Sequence, residues 1–146
     1  MTDPVTRARG WLGTPYVHQA SRKGVGTDCL GLLRGLWREI YGAEPEAVPG
    51  YTRDWSEVSG QERLLEAATR HLRMVPQAGT LPGDILIFRM RGRAVAKHVG
   101  ILARPLGGAP TFIHAYERAG VVESPLSAAW ARRIAGVFRL PQAGED

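Results

Sequence analysis

Apolar residues in the first half of the chain recur at intervals of three and four, and in the second half they gather into short runs parted by polar or glycine-rich breaks. Asp3-Pro4 opens the first helical stretch, a capping residue followed by proline at the first helical position, where a missing N–H costs nothing. This helix is expected to reach about Leu12, where Gly13-Thr14-Pro15 breaks it. Residues 15–27 read as a loop, with Gly24 and Gly26 near its end. A second helix is predicted from about Asp28 to Tyr41, with Cys29, Leu33, Leu36, Trp37, Ile40 and Tyr41 on one face and Gly42 as its C-terminal cap. Gly31 and Gly35 lie inside it, and each costs about 1 kcal/mol relative to alanine. Close packing of another element against the helix is the expected reason.

Residues 43–55, with Pro45, Pro49 and Gly50, read as a loop. Ser59-Gly60-Gln61-Glu62 has the pattern of a capping box, and the helix it starts is expected to run to about Met74 with Leu64, Leu65, Ala68 and Leu72 inward. The period then changes. Ile85 to Arg89, after the turn Pro82-Gly83-Asp84, is a predicted strand, as are Val95 to Ala103, Thr111 to Tyr116 and Val121 to Glu123. Their short breaks favour antiparallel pairing. A short helix from about Leu126 to Arg132 precedes a last strand, Ile134 to Leu140, and a tail after Pro141 is expected to be mobile. With no internal repeat and no obvious linker, the expectation is one α+β domain over residues 1–146, helices first and antiparallel sheet second.

Composition narrows the function classes. The 146 residues are 44% hydrophobic and 23% charged, ordinary for a soluble globular chain. No run is apolar enough for membrane insertion, and the N-terminus lacks the apolar core of a secretory signal, so synthesis in the cytoplasm without a signal peptide is expected. One cysteine excludes an internal disulfide. The net charge of +5 comes from basic residues spread along the chain. No dense basic block or nucleic-acid motif accompanies them, so no specific nucleic-acid binding is expected.

The one cysteine lies where a nucleophile would. In Gly24-Val25-Gly26-Thr27-Asp28-Cys29-Leu30-Gly31, glycines and a helix-starting aspartate precede Cys29, which puts it in the first helical turn. Unpaired N–H groups and the positive helix end there favour a thiolate. His98 and His114 fall in strand-like segments far downstream, the sequence order of a papain-like cysteine enzyme. Covalent acyl transfer needs a nucleophile, a base and a group to orient the base, and Cys29, His98 and His114 supply those types. Asp28 opposes thiolate formation unless its carboxylate turns toward the helix N–H groups or a substrate amine. Against this stand blander readings: a lone helical cysteine as a small buried hydrophobe, or Cys29, His98 and His114 as zinc ligands, which no closely spaced ligand pair supports. His18 and His71 read as structural, and the tryptophans as core or interface residues.

In context, these residues resemble the NlpC-type bacterial cell-wall cysteine peptidases. That family's Pro-Tyr segment and Asp-Cys-Ser-Gly motif are matched by Thr14-Pro15-Tyr16 and Asp28-Cys29-Leu30-Gly31. Its Pro-Gly-Asp strand opening, His-Val-Gly-Ile and apolar-His-Ala segments are matched by Pro82-Gly83-Asp84, His98-Val99-Gly100-Ile101 and Ile113-His114-Ala115. The resemblance implies a papain-like fold with the nucleophile helix on an antiparallel sheet that carries both histidines. It implies Cys29 as nucleophile, His98 as base, His114 as its orienting partner, and Tyr16 and Asp28 near the substrate, with no metal or organic cofactor. The implied substrates are peptidoglycan stem peptides, commonly cut between D-γ-glutamate and meso-diaminopimelate. Leu30 departs from the family's small hydroxyl residue. The stretch from Gly13 to Ser21 is similar to the variant in phage tail-assembly peptidases and gene transfer agents. That variant implies a tail component, partnered by hub or baseplate proteins, that acts at the periplasmic wall to open a path for DNA. The alternatives are a catalytically silent tail protein that binds wall or hub proteins, and a related acyl transfer or amidase reaction.

Overall fold

The computed structural model describes residues 3–46, 62–90 and 94–142, and its first element starts where the sequence places it. Helix α1 spans Pro4–Arg9, with the Asp3 carboxylate accepting from the Val5 N–H at 3.0 Å. It stops short of Leu12. Tight turns continue instead, Trp11 N–H donating to the Ala8 carbonyl and Thr14 N–H to that of Trp11, and they bury the Trp11 ring, 2% exposed, in the core.

The expected loop over residues 15–27 is more ordered than its composition suggests. Ser21–Arg22 (β1) and Gly26–Thr27 (β2) pair as an antiparallel hairpin around Gly24, whose φ of 77° fits the turn. Two-residue strands carry too little alternation to be read from a sequence.

Helix α2 spans Cys29–Tyr41, capped by Asp28 and ended at Gly42. Its internal glycines have the reason foreseen. A Cβ on Gly31 would overlap the Ala20 carbonyl, and one on Gly35 would overlap the Trp11 ring. The buried stripe is rotated from the expected one: Gly31, Leu32, Gly35 and Leu36 lie deepest, while Leu33, Trp37, Ile40 and Tyr41 flank it. The glycines let neighbours come closest on their own side, which draws Leu32 inward.

Helix α3 spans Arg63–His71. Residues 59–61 of the expected capping box lie outside the described residues. Glu62 occupies the N-cap position rather than the third helical one, and makes no side-chain cap bond. Its carboxylate instead accepts from the Ala96 N–H at 2.8 Å and pairs with Arg89. The helix ends three residues before Met74, because Arg73–Val75 forms a strand, β3, on the sheet edge against the last strand. Sheet pairing there overrides a continuing helical pattern.

The sheet is completed by β4 (Ile85–Arg89), β5 (Ala96–Arg104), β6 (Thr111–Tyr116), β7 (Gly120–Pro125) and, after the short helix α4 (Ala128–Ala131), β8 (Ile134–Arg139). The strand order is β3-β8-β4-β5-β6-β7, antiparallel throughout. β4 is an unbroken apolar run because both of its faces are covered. Ile85 and Ile87 join Val99, Ile101 and Ile113 against α1 and α2, while Leu86 and Phe88 join Leu102, Phe112 and Val137 beside Trp130. Asp84, 2% exposed, ties β4 to β8 through two 2.8 Å bonds from Arg139. The expected mobile tail falls mostly outside the described residues.

Candidate active site

Asp28 sets the start of α2 and therefore the position of Cys29. Its Oδ1 accepts from the Gly31 N–H at 2.7 Å and its Oδ2 from the Gln19 N–H at 2.8 Å. Gln19 needs a φ of 66° to present that N–H. The His18 Nδ1 lies 3.9 Å from the same Oδ2. Of the two orientations open to this carboxylate from sequence, the structure has the capping one.

Cys29 sits against β5. Its Sγ is 3.5 Å from the Lys97 carbonyl oxygen, and the backbone N–H groups of Val99, Leu30 and Cys29 itself favour negative charge on it. A cavity of about 300 Å³ opens there, lined among others by Tyr16, His18, Asp28, Cys29, Lys97 and His98. Four of the five residues singled out from sequence therefore share one cavity. The fifth, His114, stands behind His98: on adjacent strands, His98 Nε2 and His114 Nδ1 are 2.8 Å apart. His18 also lines the cavity, where the sequence read it as structural. His71 lies on the surface, its Nε2 2.9 Å from the Glu46 Oε1.

Two residues of this neighbourhood escaped sequence reading. The Ser124 Oγ on β7 lies 2.9 Å from the His114 Nε2, so a hydrogen-bonded row runs Ser124–His114–His98. Trp130, after α4 begins, stacks on His98 with ring centres 5.5 Å apart and stands edge-on to His114 at 5.3 Å. Phe88 and Phe112 close the same side. Neither residue carries a local motif, since strand pairing alone brings them to the histidines. The remaining described tryptophans are structural as expected: Trp11 Nε1–H donates to Glu39 and Trp37 Nε1–H to the Ala43 carbonyl.

Burial decides the resting charge state. It pushes the Cys29 thiol up to about 12, aided by the negative charge of Asp28 and only partly opposed by the backbone N–H groups. It draws His98 down to about 3, helped by His114, and His114 down to about 4. Burial therefore works against the expected resting thiolate and favours a neutral thiol beside neutral imidazoles. The helix end is outweighed by desolvation and by the very aspartate that caps it. A neutral thiol beside a neutral buried base can still react by passing its proton as it attacks.

A cysteine at a helix start, packed on an antiparallel sheet that carries a hydrogen-bonded histidine pair, defines the papain-like class. The sequence profile of the NlpC/P60 family matches residues 13–139, and the chain belongs to that family. Solved structures agree on the fold. An NLP/P60-family protein similar to lipoprotein from Staphylococcus aureus superposes with a TM-score of 0.62 at 18% identity, over 95% of this chain and 40% of that one. An NlpC/P60-family protein from Bacillus cereus gives 0.63 at 22%, over 95% and 40%. The NlpC/p60 domain of the peptidoglycan hydrolase SagA gives 0.59 at 22%, over 94% and 96%. This chain thus spans 40% of the length of the first two and nearly all of the isolated domain. No curated protein matches it. No helix among the described residues is long and apolar enough to cross a membrane.

Proposed function

We propose that this chain is a cysteine endopeptidase of peptidoglycan stem peptides. The observation that carries the reading is the pairing of His98 Nε2 with His114 Nδ1 at 2.8 Å, beside a cavity that Cys29 and His98 both line, within a family domain. Because His114 occupies Nε2, only the Nδ1 of His98 is left to serve a reacting group. As the Cys29 sulfur attacks the scissile carbonyl, its proton passes to that Nδ1. The N–H groups of Cys29 and Leu30 at the helix start face the developing oxyanion. His98 then protonates the leaving amine, the C–N bond breaks, and a thioester to Cys29 remains. Water, deprotonated by His98, releases the acid and restores the thiol. Tyr16 and Asp28 border the cavity that takes the substrate; the Asp28 carboxylate, held by the Gly31 and Gln19 N–H groups, contributes a fixed negative charge that favours a free amine there.

The bond proposed is that between D-γ-glutamate and meso-diaminopimelate. The setting proposed is the tail of a phage or gene transfer agent, docked on hub or baseplate proteins, where local wall opening lets DNA pass. The family resemblance of the Gly13–Ser21 stretch supports that setting, and the peptidoglycan hydrolase among the similar structures supports the substrate. Mass spectrometry of purified Gram-negative muropeptides tests the first point, with Cys29→Ala as control. Loss of the diamino-acid end of the stem with the wild type alone is expected, and intact muropeptides in both samples would overturn the peptidase. Detection of the chain in purified tail particles tests the second, and its absence from them would remove the tail role.

A further inference from the structure

Among the described residues, the Ser124 hydroxyl bonds the His114 Nε2 at 2.9 Å. Proton positions along the row then follow from one requirement. For the His98 Nδ1 to accept a proton, the neutral ring must carry its hydrogen on Nε2. That hydrogen points at the His114 Nδ1, which must therefore be bare. His114 then carries its own hydrogen on Nε2, and something must accept it there. The adjoining carboxylate, Glu123, cannot: it is engaged by Arg9 at 3.0 Å and by the Thr111 hydroxyl at 2.7 Å. The Ser124 oxygen is the acceptor in place.

We infer that Ser124 is a positioning residue that supports the productive tautomers of both histidines, because its oxygen ends the Ser124–His114–His98 row and gives a His114 Nε2–H a place to donate. Its oxygen accepts from His114 Nε2–H, which leaves His114 Nδ1 free to accept from His98 Nε2–H, and so leaves the His98 Nδ1 bare to take a proton. The alternative arrangement reverses every bond: the Ser124 hydroxyl donates to a bare His114 Nε2, His114 donates from Nδ1, and His98 accepts at Nε2 and carries its hydrogen on Nδ1. A base in that form cannot take the thiol proton. Without the hydroxyl, the productive form alone leaves a buried N–H with no acceptor. Two buried rings set T-shaped inside an aromatic wall of Trp130, Phe88 and Phe112 have little water to correct a wrong tautomer. The wrong tautomer on a catalytic base costs about 10⁴-fold in rate where it is complete, and a mixture of the two forms costs less.

This role rests on the peptidase reading, so its test uses a readout that does not need turnover. The variants are Ser124→Val and Ser124→Thr. They match in volume and branching on a half-buried strand position, and differ in whether a hydroxyl is present. Long-range ¹H–¹⁵N correlation spectra at pH 7 report which ring nitrogen of each histidine is protonated. The wild type and Ser124→Thr are expected to show His98 and His114 both protonated on Nε2. Ser124→Val is expected to shift both rings together toward protonation on Nδ1. On muropeptides kcat should fall at least about ten-fold in Ser124→Val with little change in KM, and return in Ser124→Thr. Unchanged ring protonation in a folded Ser124→Val would overturn the role of Ser124. Wild-type protein that leaves muropeptides intact, while Ser124→Val still shows the ring exchange, would sink the peptidase and keep the row.

Discussion

A thiol held neutral by burial does not behave like an exposed low-pKa cysteine. Cys29 is pushed up to about 12 and His98 down to about 3, so neither titrates near neutrality in the free protein. The profile of kcat/KM against pH is therefore expected to be flat from about pH 5 to 9, with limbs only outside that window. A bell centred near neutrality would mean that a thiolate–imidazolium pair forms after all. By the same reasoning a thiol-reactive probe at pH 6 should label Cys29 slowly in the absence of substrate. Cys29→Ala and His98→Ala are expected to abolish turnover of muropeptides, the loss of the base alone costing roughly 10²–10⁴-fold. His114→Ala should cost less, since orientation is one part of what the base requires. Full activity in Cys29→Ala would remove the nucleophile. Cys29, His98 and His114 were legible because each stands in a short, recognisable context. Ser124 was not, because its only credential is a 2.9 Å approach across two paired strands.

Helix α2 shows how an element carries a site. Asp28 caps it, the glycines admit its neighbours, and Cys29 is thereby held against β5. Gly31→Ala would drive a Cβ into the Ala20 carbonyl, backbone that also accepts from the Asp28 N–H at 3.2 Å. Overpacking of this kind costs about 1–3 kcal/mol or more. A lowered denaturation midpoint, together with loss of activity, is the expected result, because the helix start would move. Gly35→Ala meets the Trp11 ring instead, which a smaller side chain can relieve. Gly35→Ala combined with Trp11→Leu should therefore be less destabilised than the sum of the two single changes, and strict additivity in denaturant titrations would contradict the contact. Periodicity found both glycines and assigned them a packing role. It misplaced the deepest stripe and the end of α3, since neither the partner of Leu32 nor the edge pairing of Arg73–Val75 is local information.

Folded as a whole, the protein stores its site chemistry as a dependence of stability on pH. His98 and His114 have folded pKa values lowered from 6.5 to about 3 and about 4, so between those values and 6.5 the unfolded chain binds more protons. Their contribution is complete above pH 6.5 and is lost as the pH falls. Cys29 has the opposite sign. Its folded pKa is raised from 9.0 to about 12, so its contribution is complete below pH 9 and is lost as the pH rises. The denaturation midpoint should be highest between about pH 6.5 and 9 and fall on both sides. His98→Gln should flatten the acid side, and an equally steep acid side in that variant would show that other groups govern it.

The sequence by itself determined the types of the longer elements, the order of helices and main sheet, the glycines that must admit neighbours, and the residues with chemistry in the family's spacing. These are properties of period, propensity and short motif, which act over a few residues. Only the tertiary structure decided that the two histidine rings meet at 2.8 Å, that Ser124 ends the row, that Trp130 walls it, and that burial works against a thiolate at Cys29. Those outcomes depend on strand register and on desolvation. Both arise when segments far apart in the chain come together and exclude water, and no window of local sequence contains them.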